Sequence, residues 1–422
     1  MHAPTHAPTH AHVIGAGLAG LSAALVLAGA GWRVSLLDAS PAAGGRCRSY
    51  FDRTLGCRID NGNHLLLSGN RATFGYLDAI GARDTIAMPE EPAFPFLDLA
   101  SGARWVLRPN RGRLPWWILA RRRRVPGTRL SDYLRLHGLR RPDPEATVAQ
   151  VLAAGALFDR LLGPLAVAAL NTPSDAGSAA LLWAVVAETL VLGGAACCPG
   201  VPREGLSESF VDPALARLRA AGAEIQLGRR VAALGIADGR VRRLETPDGS
   251  VPVAEGEVVV LAVPAPVAAD LLPGLLVPDE FQAIVNLHYR TEAPRGADRF
   301  VGLIGGSAEW VFVKRGVVSV TVSAANRLAD EPAESLAARV WPEARHALGL
   351  SGPLPAWRVV KERRATFAAT PAQERRRPGP RTGLRNLVLA GDWTATGLPA
   401  TIEGAIRSGR AAFDCVQSSD RP

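Results

Sequence analysis

The sequence predicts an α/β protein. A Rossmann-like domain, a mixed sheet with helices on its faces, is interrupted by an inserted α+β domain of helices and an antiparallel sheet. Three observations carry this. A strand–glycine turn–helix–strand unit opens the chain at 12–38. Buried-type strand segments return at 257–264 and 386–390. The long stretches 71–204 and 271–384 do not continue the pattern. A chain of 422 residues is long enough for two domains, and 48% hydrophobic content makes it globular. The expected division is 12–70, 205–270 and 385–418 in the discontinuous first domain, and 71–204 with 271–384 in the second.

The opening unit reads HVIGAGLAGLSAALVLAGAGWRVSLLD. Gly15, Gly17 and Gly20 form G-x-G-x-x-G between a short apolar run and an Ala/Leu-rich helix. Gly15 permits the turn, Gly17 admits a pyrophosphate, and Gly20 lets helix and strand pack closely. Asp38 ends the second strand 23 positions after Gly15, near the ~20 expected of an acid that holds a ribose hydroxyl. The unit therefore predicts dinucleotide binding.

Before it, residues 1–11 repeat His-Ala-Pro-Thr and are expected to form a disordered tail. They lack a basic region followed by an apolar core, so they do not read as a secretory signal. Their histidines are at most adventitious metal ligands, and no metal site is read. Arginine supplies almost all of the net charge of +9, since only Lys314 and Lys361 are lysines. That charge suits an anionic membrane surface, and no nucleic-acid motif accompanies it. The five cysteines fit no zinc spacing and read as incidental thiols of a reduced, cytoplasmic protein.

Further along, Gly44-Gly45-Arg46 offers backbone and one charge to a diphosphate, or is a simple loop. Asp60 to His64 is a turn before an apolar run. Leu114 to Ala120, followed by Arg121–Arg124, reads either as an interfacial anchor or as a solvated basic helix end. The apolar stretch 176–202 is long enough for a membrane span, but Gly193-Gly194, Cys197-Cys198 and Pro199 break it up, so a buried helix from about Asp175 to Leu192, lining an apolar pocket, is expected instead. Glu188, inside it, needs a partner. Residues 212–222 read as an amphipathic helix. Ile284–Tyr289, Phe300–Ile304, Trp310–Val313 and Val317–Ser323 are four short strands of an antiparallel sheet that covers the cofactor. His288, in one of them, reads as structural. Finally Asn386–Ala390 is a strand ending at Gly391-Asp392, and Pro399-Ala400-Thr401 leads into a helix from about Ile402.

The glycine triplet, the acid, G-G-R and D-x-G together resemble the FAD-binding half of the amine oxidase and phytoene desaturase superfamily. Narrower stretches resemble its squalene-associated branch, the hydroxysqualene dehydroxylases of bacterial hopanoid synthesis. These are IDNGNHLLLSGN at 59–70, ALNTPSDAGSA at 169–179, CPGVPREGLSESFVDP at 198–213, RATFAATPAQERRRPGP at 364–380 and LAGDWTATGLPATIEGAIRSG at 389–409. The resemblance implies FAD held by Gly15, Gly17, Leu18, Ala19, Gly20, Asp38, Ala39, Gly44, Gly45 and Arg46. It adds Asn61, Gly62, Asn63 and His64 near the flavin, Val231 and Ala262 from the later strands, and Gly391, Asp392, Pro399, Ala400, Thr401 and Ile402 at the end. With no cysteine between Thr394 and Gly404, the FAD is expected to be non-covalent.

The implied reaction replaces the allylic hydroxyl of hydroxysqualene by hydride, giving squalene. An external electron donor and a place at the inner face of the bacterial membrane follow from it. Asp60, Glu188 and Glu403 are the candidate general acids, and Glu403 also suits the helix dipole at its position. A polyprenyl desaturase, an amine oxidase and a non-catalytic FAD-containing scaffold are the competing readings.

Overall fold

The computed structural model describes residues 10–152, 154–294, 299–314 and 316–419. The tail expected to be disordered falls outside them except for His10 and Ala11. Those two belong to the first strand, which starts two residues earlier than the sequence suggests.

In chain order, β1 (His10–Ile14) and β2 (Arg33–Asp38) are followed by β3 (Phe94–Asp98) and β4 (Arg104–Leu107). The chain returns through β5 (Glu224–Leu227) and β6 (Val258–Leu261). It leaves again for β7 (Phe281–Arg290), β8 (Phe300–Ile304), β9 (Trp310–Lys314), β10 (Val317–Val322) and β11 (Trp357–Phe367), and closes with β12 (Leu387–Leu389). The first sheet has order β5-β2-β1-β6-β12 and is parallel throughout. Its strands β6 and β12 are wholly apolar, as expected where both faces are covered, whereas β1, β2 and the edge strand β5 carry polar residues. The second sheet has order β11-β7-β10-β9-β8-β3-β4. All its pairs are antiparallel except β8 with β3. The four strands expected there are present, and β3, β4 and β11 extend them.

Seven helices matter for the site: α1 (Leu18–Gly29), α2 (Arg71–Ala79), α3 (Gly163–Leu170), α4 (Ala179–Glu188), α5 (Asp212–Ala220), α6 (Ala333–Leu348) and α7 (Ile402–Ser419). α1 and α7 pack so closely that a Cβ on Gly409 would lie 2.4 Å from the Ala19 carbonyl oxygen. α4 is shorter than the expected 175–192 helix. Ser178 caps its start by accepting from Leu181 N–H, and Thr189 leaves helical geometry at its end. Among the described residues no helix is long and apolar enough to cross a membrane. One face of the second sheet packs on α6 through Val285, Leu287, Tyr289, Val318 and Val320. By strand alternation the other face presents Asn286, His288, Ser319, Thr321, Trp310, Phe312 and Lys314.

Candidate functional site

The cofactor side is built from backbone at the carboxyl edge of the parallel sheet, where such sheets bind ligands. Gly15 has φ +107°, and a Cβ there would lie 2.3 Å from the Ala262 carbonyl oxygen. A Cβ on Gly20 would lie 1.8 Å from the Gly15 carbonyl oxygen. Both glycines are required by protein packing. Gly17 differs: a Cβ there meets nothing within 4 Å. Gly17 is the N-cap of α1 and forms an isolated parallel bridge with Gly44, whose N–H donates to the Ala16 carbonyl at 2.7 Å. Gly45 faces Gly17 as well, its Cβ position 3.5 Å from Gly17 Cα. Two glycine loops thus border an open, backbone-lined space at the N-terminus of α1, beside Leu18 and Ala19. Such a cradle fits a diphosphate.

Around it stand the other expected residues. Asp38 accepts from Ala16 N–H at 2.6 Å and Ser40 N–H at 2.7 Å, with Ala39 exposed between. Arg46 donates to Asp392 at 2.8 Å, which joins G-G-R to the end of β12. Val231 is buried in one cluster with Ile14, Leu37 and Leu261, and Ala262 N–H donates to Ile14 at 2.8 Å. Gly391 N–H donates to Ser408 Oγ at 2.8 Å. Thr401, after Pro399 and Ala400, accepts from Gly404 N–H at 3.0 Å and so caps α7 next to Ile402. These residues suit non-covalent FAD.

Next to the cradle lies a buried polar cluster on the free face of the second sheet. Asp60 is 4% exposed. Its Oδ1 accepts from Ser49 Oγ at 2.6 Å and Leu206 N–H at 2.9 Å, and Lys314 donates to its Oδ2. Asn286 Nδ2 donates to the Asn61 carbonyl at 3.3 Å, and Asn286 Oδ1 accepts from Thr321 Oγ1 at 2.7 Å. Asn63 donates to Thr321 at 3.0 Å, and a Cβ on Gly62 would lie 3.2 Å from Asn286 Nδ2. Burial pushes His64 and His288 down to about 4, so both are neutral at pH 7. His288 Nδ1 lies 2.7 Å from Ser319 Oγ, while its Nε2 is buried with no side-chain partner among the described residues. Burial also pushes the Cys47 thiol up, with Asp60 adding to the effect. Beyond this cluster the same face is aromatic: Phe96 and Phe300 lie 5.7 and 6.2 Å from Trp310, and Phe312 follows.

The other two acids are committed elsewhere. Glu188 is the last residue of α4 rather than the middle of an apolar helix, and it pairs with Arg407 at 2.9 Å. Glu403 accepts from Ala72 N–H at 3.0 Å, Thr73 N–H at 2.8 Å and Thr73 Oγ1 at 2.7 Å, satisfying the first turn of α2, and also accepts from Arg407. One guanidinium therefore ties both carboxylates. Sequence reading missed Lys314, Asn286 and Thr321, and treated His288 as merely structural. Their only signal was position: one of two lysines in the chain ends an apolar strand.

The 114–124 stretch is two short 3₁₀ turns, Trp116–Leu119 and Arg121–Arg123, not a helix end. Leu114, Trp116 and Leu119 are more than half exposed, beside exposed Arg113 and Arg121–Arg123. Trp117 turns inward onto Tyr133 at 5.5 Å.

A dinucleotide cradle in a parallel sheet, facing a second sheet across a polar cluster, defines an FAD-dependent oxidoreductase. Residues 18–293 and 311–416 match the model of the flavin containing amine oxidoreductase family. Among curated proteins the chain is 50% identical to the hydroxysqualene dehydroxylase of Rhodopseudomonas palustris over 412 residues, covering 97% of this chain and 99% of that one. It is 47% identical to that of Sinorhizobium fredii over 408 residues, covering 96% and 98%. The chain therefore belongs to the hydroxysqualene dehydroxylase family, within the flavin containing amine oxidoreductases. Among solved structures, an oxidoreductase from Methanosarcina mazei shares the fold with a TM-score of 0.70 at 16% identity, over 96% of this chain and 100% of that one. Putrescine oxidase bound to putrescine does so with 0.69 at 16% identity, over 97% and 99%.

Proposed function

We propose that the protein reductively removes the allylic hydroxyl of hydroxysqualene to give squalene, supplying hopanoid biosynthesis. The observation that carries this is the buried Asp60–Lys314 pair between the glycine cradle and an aromatic face, in a chain half identical to a hydroxysqualene dehydroxylase. FAD, reduced by an external donor, supplies the hydride when bound. Lys314 gives the proton that the departing hydroxyl takes as water, and Asp60 aims its amino group. Of the three candidate acids Asp60 alone borders the cluster, and it acts through Lys314. Trp310, Phe312 and Phe300 exclude water from the allylic cation and present π faces to it.

In this reading the parallel sheet belongs to a discontinuous FAD-binding domain and the second sheet to an inserted substrate domain, so that each sheet serves one ligand. The exposed Leu114, Trp116 and Leu119, rimmed by arginine, suit docking on the anionic inner face of the bacterial membrane, where an isoprenoid substrate resides. The test is mass spectrometry of products after FAD-loaded protein meets hydroxysqualene and a chemical reductant. Squalene is expected. Conversion of phytoene to a longer polyene, with hydroxysqualene untouched, would assign polyprenyl desaturation instead. FAD binding with neither product would leave the scaffold reading.

A further inference from the structure

Away from the cofactor, the amino end of the parallel sheet gathers two imidazoles and a carboxylate. His10 and His12 lie two apart on β1 and so share a face. Glu257 immediately precedes β6, the neighbouring strand. Their ligand atoms all lie within 4.8 Å of one another. His10 Nδ1 is 3.3 Å from Glu257 Oε1, and His12 Nε2 is 3.0 Å from Glu257 Oε2. A tetrahedral zinc ion with bonds of about 2.0–2.1 Å separates its ligand atoms by roughly 3.3 Å.

We propose that His10, His12 and Glu257 form a binding site for a divalent transition-metal cation of the zinc class, tying β1 to β6 at the sheet end opposite the FAD cradle.

The hydrogen bonds around the three residues favour it. Ser35 Oγ donates to Glu224 Oε2 at 3.4 Å and lies 2.9 Å from His10 Nε2. In the tautomer that carries the proton on Nε2, Ser35 accepts it and Nδ1 turns its lone pair toward the Glu257 oxygen. A cation between Nδ1 and that oxygen satisfies both. A partner that fixes the tautomer in this way is the usual support for a ligating histidine. Glu257 Oε2 is further oriented by Ala254 N–H at 3.0 Å. Arg33 Nη2, 3.4 Å from His10 Nδ1 and 3.9 Å from Glu257 Oε1, partly meets the demand for positive charge. Its side chain is exposed and on the rim, so it can swing into solvent when a metal enters. Ligation through His12 Nε2 places its proton on Nδ1, which is buried with no partner among the described residues. The affinity is therefore below that of a fully supported site.

The histidine-containing repeat upstream adds His2 and His6 as competing ligands, and the test separates them. Chelator-treated, FAD-loaded full-length protein is titrated with zinc(II) by calorimetry and with cobalt(II) by visible absorption. One equivalent, intense tetrahedral-type cobalt bands and a rise in melting temperature are expected. Glu257→Gln and His12→Ala should each abolish them while the flavin content of the protein stays unchanged. Ser35→Ala should weaken binding roughly 10–100-fold. His2→Ala with His6→Ala should leave the stoichiometry at one. Binding lost in that double variant, binding unaltered in Glu257→Gln, or no binding at all overturns the site. If His12→Ala does not fold, Glu257→Gln decides alone.

Discussion

On the proposed reading the two sheets recognise their ligands in opposite ways. At the parallel sheet the decisive groups are main-chain atoms and missing side chains, such as Gly15, Gly17, Gly44 and Gly45. At the mixed sheet they are side chains from separated strands, such as Asn286, Lys314 and Thr321. A backbone site needs glycine at fixed short spacings and little else. A side-chain site needs distant strands to align in register. The first kind is written in local sequence, whereas the second exists only after folding.

The sharpest way to break this contrast is within the glycine triplet itself. Gly17→Val should fold and melt normally, since its Cβ meets no protein atom, yet carry no flavin absorbance. Gly20→Ala should instead lose about 3 kcal/mol of stability, because its Cβ falls on the Gly15 carbonyl. Flavin retained by the Gly17 variant would mean the cradle is not where the diphosphate sits. On the other sheet, Lys314→Met strands a buried carboxylate. We expect a cost of roughly 3–5 kcal/mol in denaturant unfolding and loss of squalene formation with FAD still bound.

Acid titration tests the same burial. His64 and His288 are held near 4, well below the ~6.5 of an exposed imidazole. The unfolded chain therefore takes up these protons first as pH falls. The stability tied to neutral imidazoles is complete above pH 6.5 and drains away toward pH 4. Melting temperature against pH should show that slope, and His288→Phe should flatten it. The smallest effect concerns the surface. Trp116→Ser with Leu119→Ser should leave stability within about 0.5 kcal/mol but weaken binding to anionic vesicles several-fold. Unchanged vesicle binding would remove the membrane from the account.

Sequence legibility follows the same line. The glycine triplet opening α1 and the strand before Asp392 were readable because their signals lie in short local patterns, whereas the link of Arg46 to Asp392 spans the chain and was not. Glu188 invited a catalytic reading because its partner, Arg407, lies on another helix, and Glu403 because it accepts from Ala72 and Thr73 at the start of α2; pairing between distant helices leaves no local trace, although the Glu403–Arg407 pair lies within α7. The helix at 175–192 was drawn too long because apolar composition conceals the cap at Ser178 and the break at Thr189. β11 escaped notice since Lys361-Glu362-Arg363-Arg364 resembles a solvated surface segment, although it pairs with β7 over most of its length.

Arg46 reaches Asp392, and Gly409 lies against Ala19, so the earliest and latest parts of the polypeptide complete one another. On the proposed reading the nucleotide pocket would stay unfinished during synthesis until Asp392 and α7 had left the ribosome, and a chain cut before them would lack both contacts.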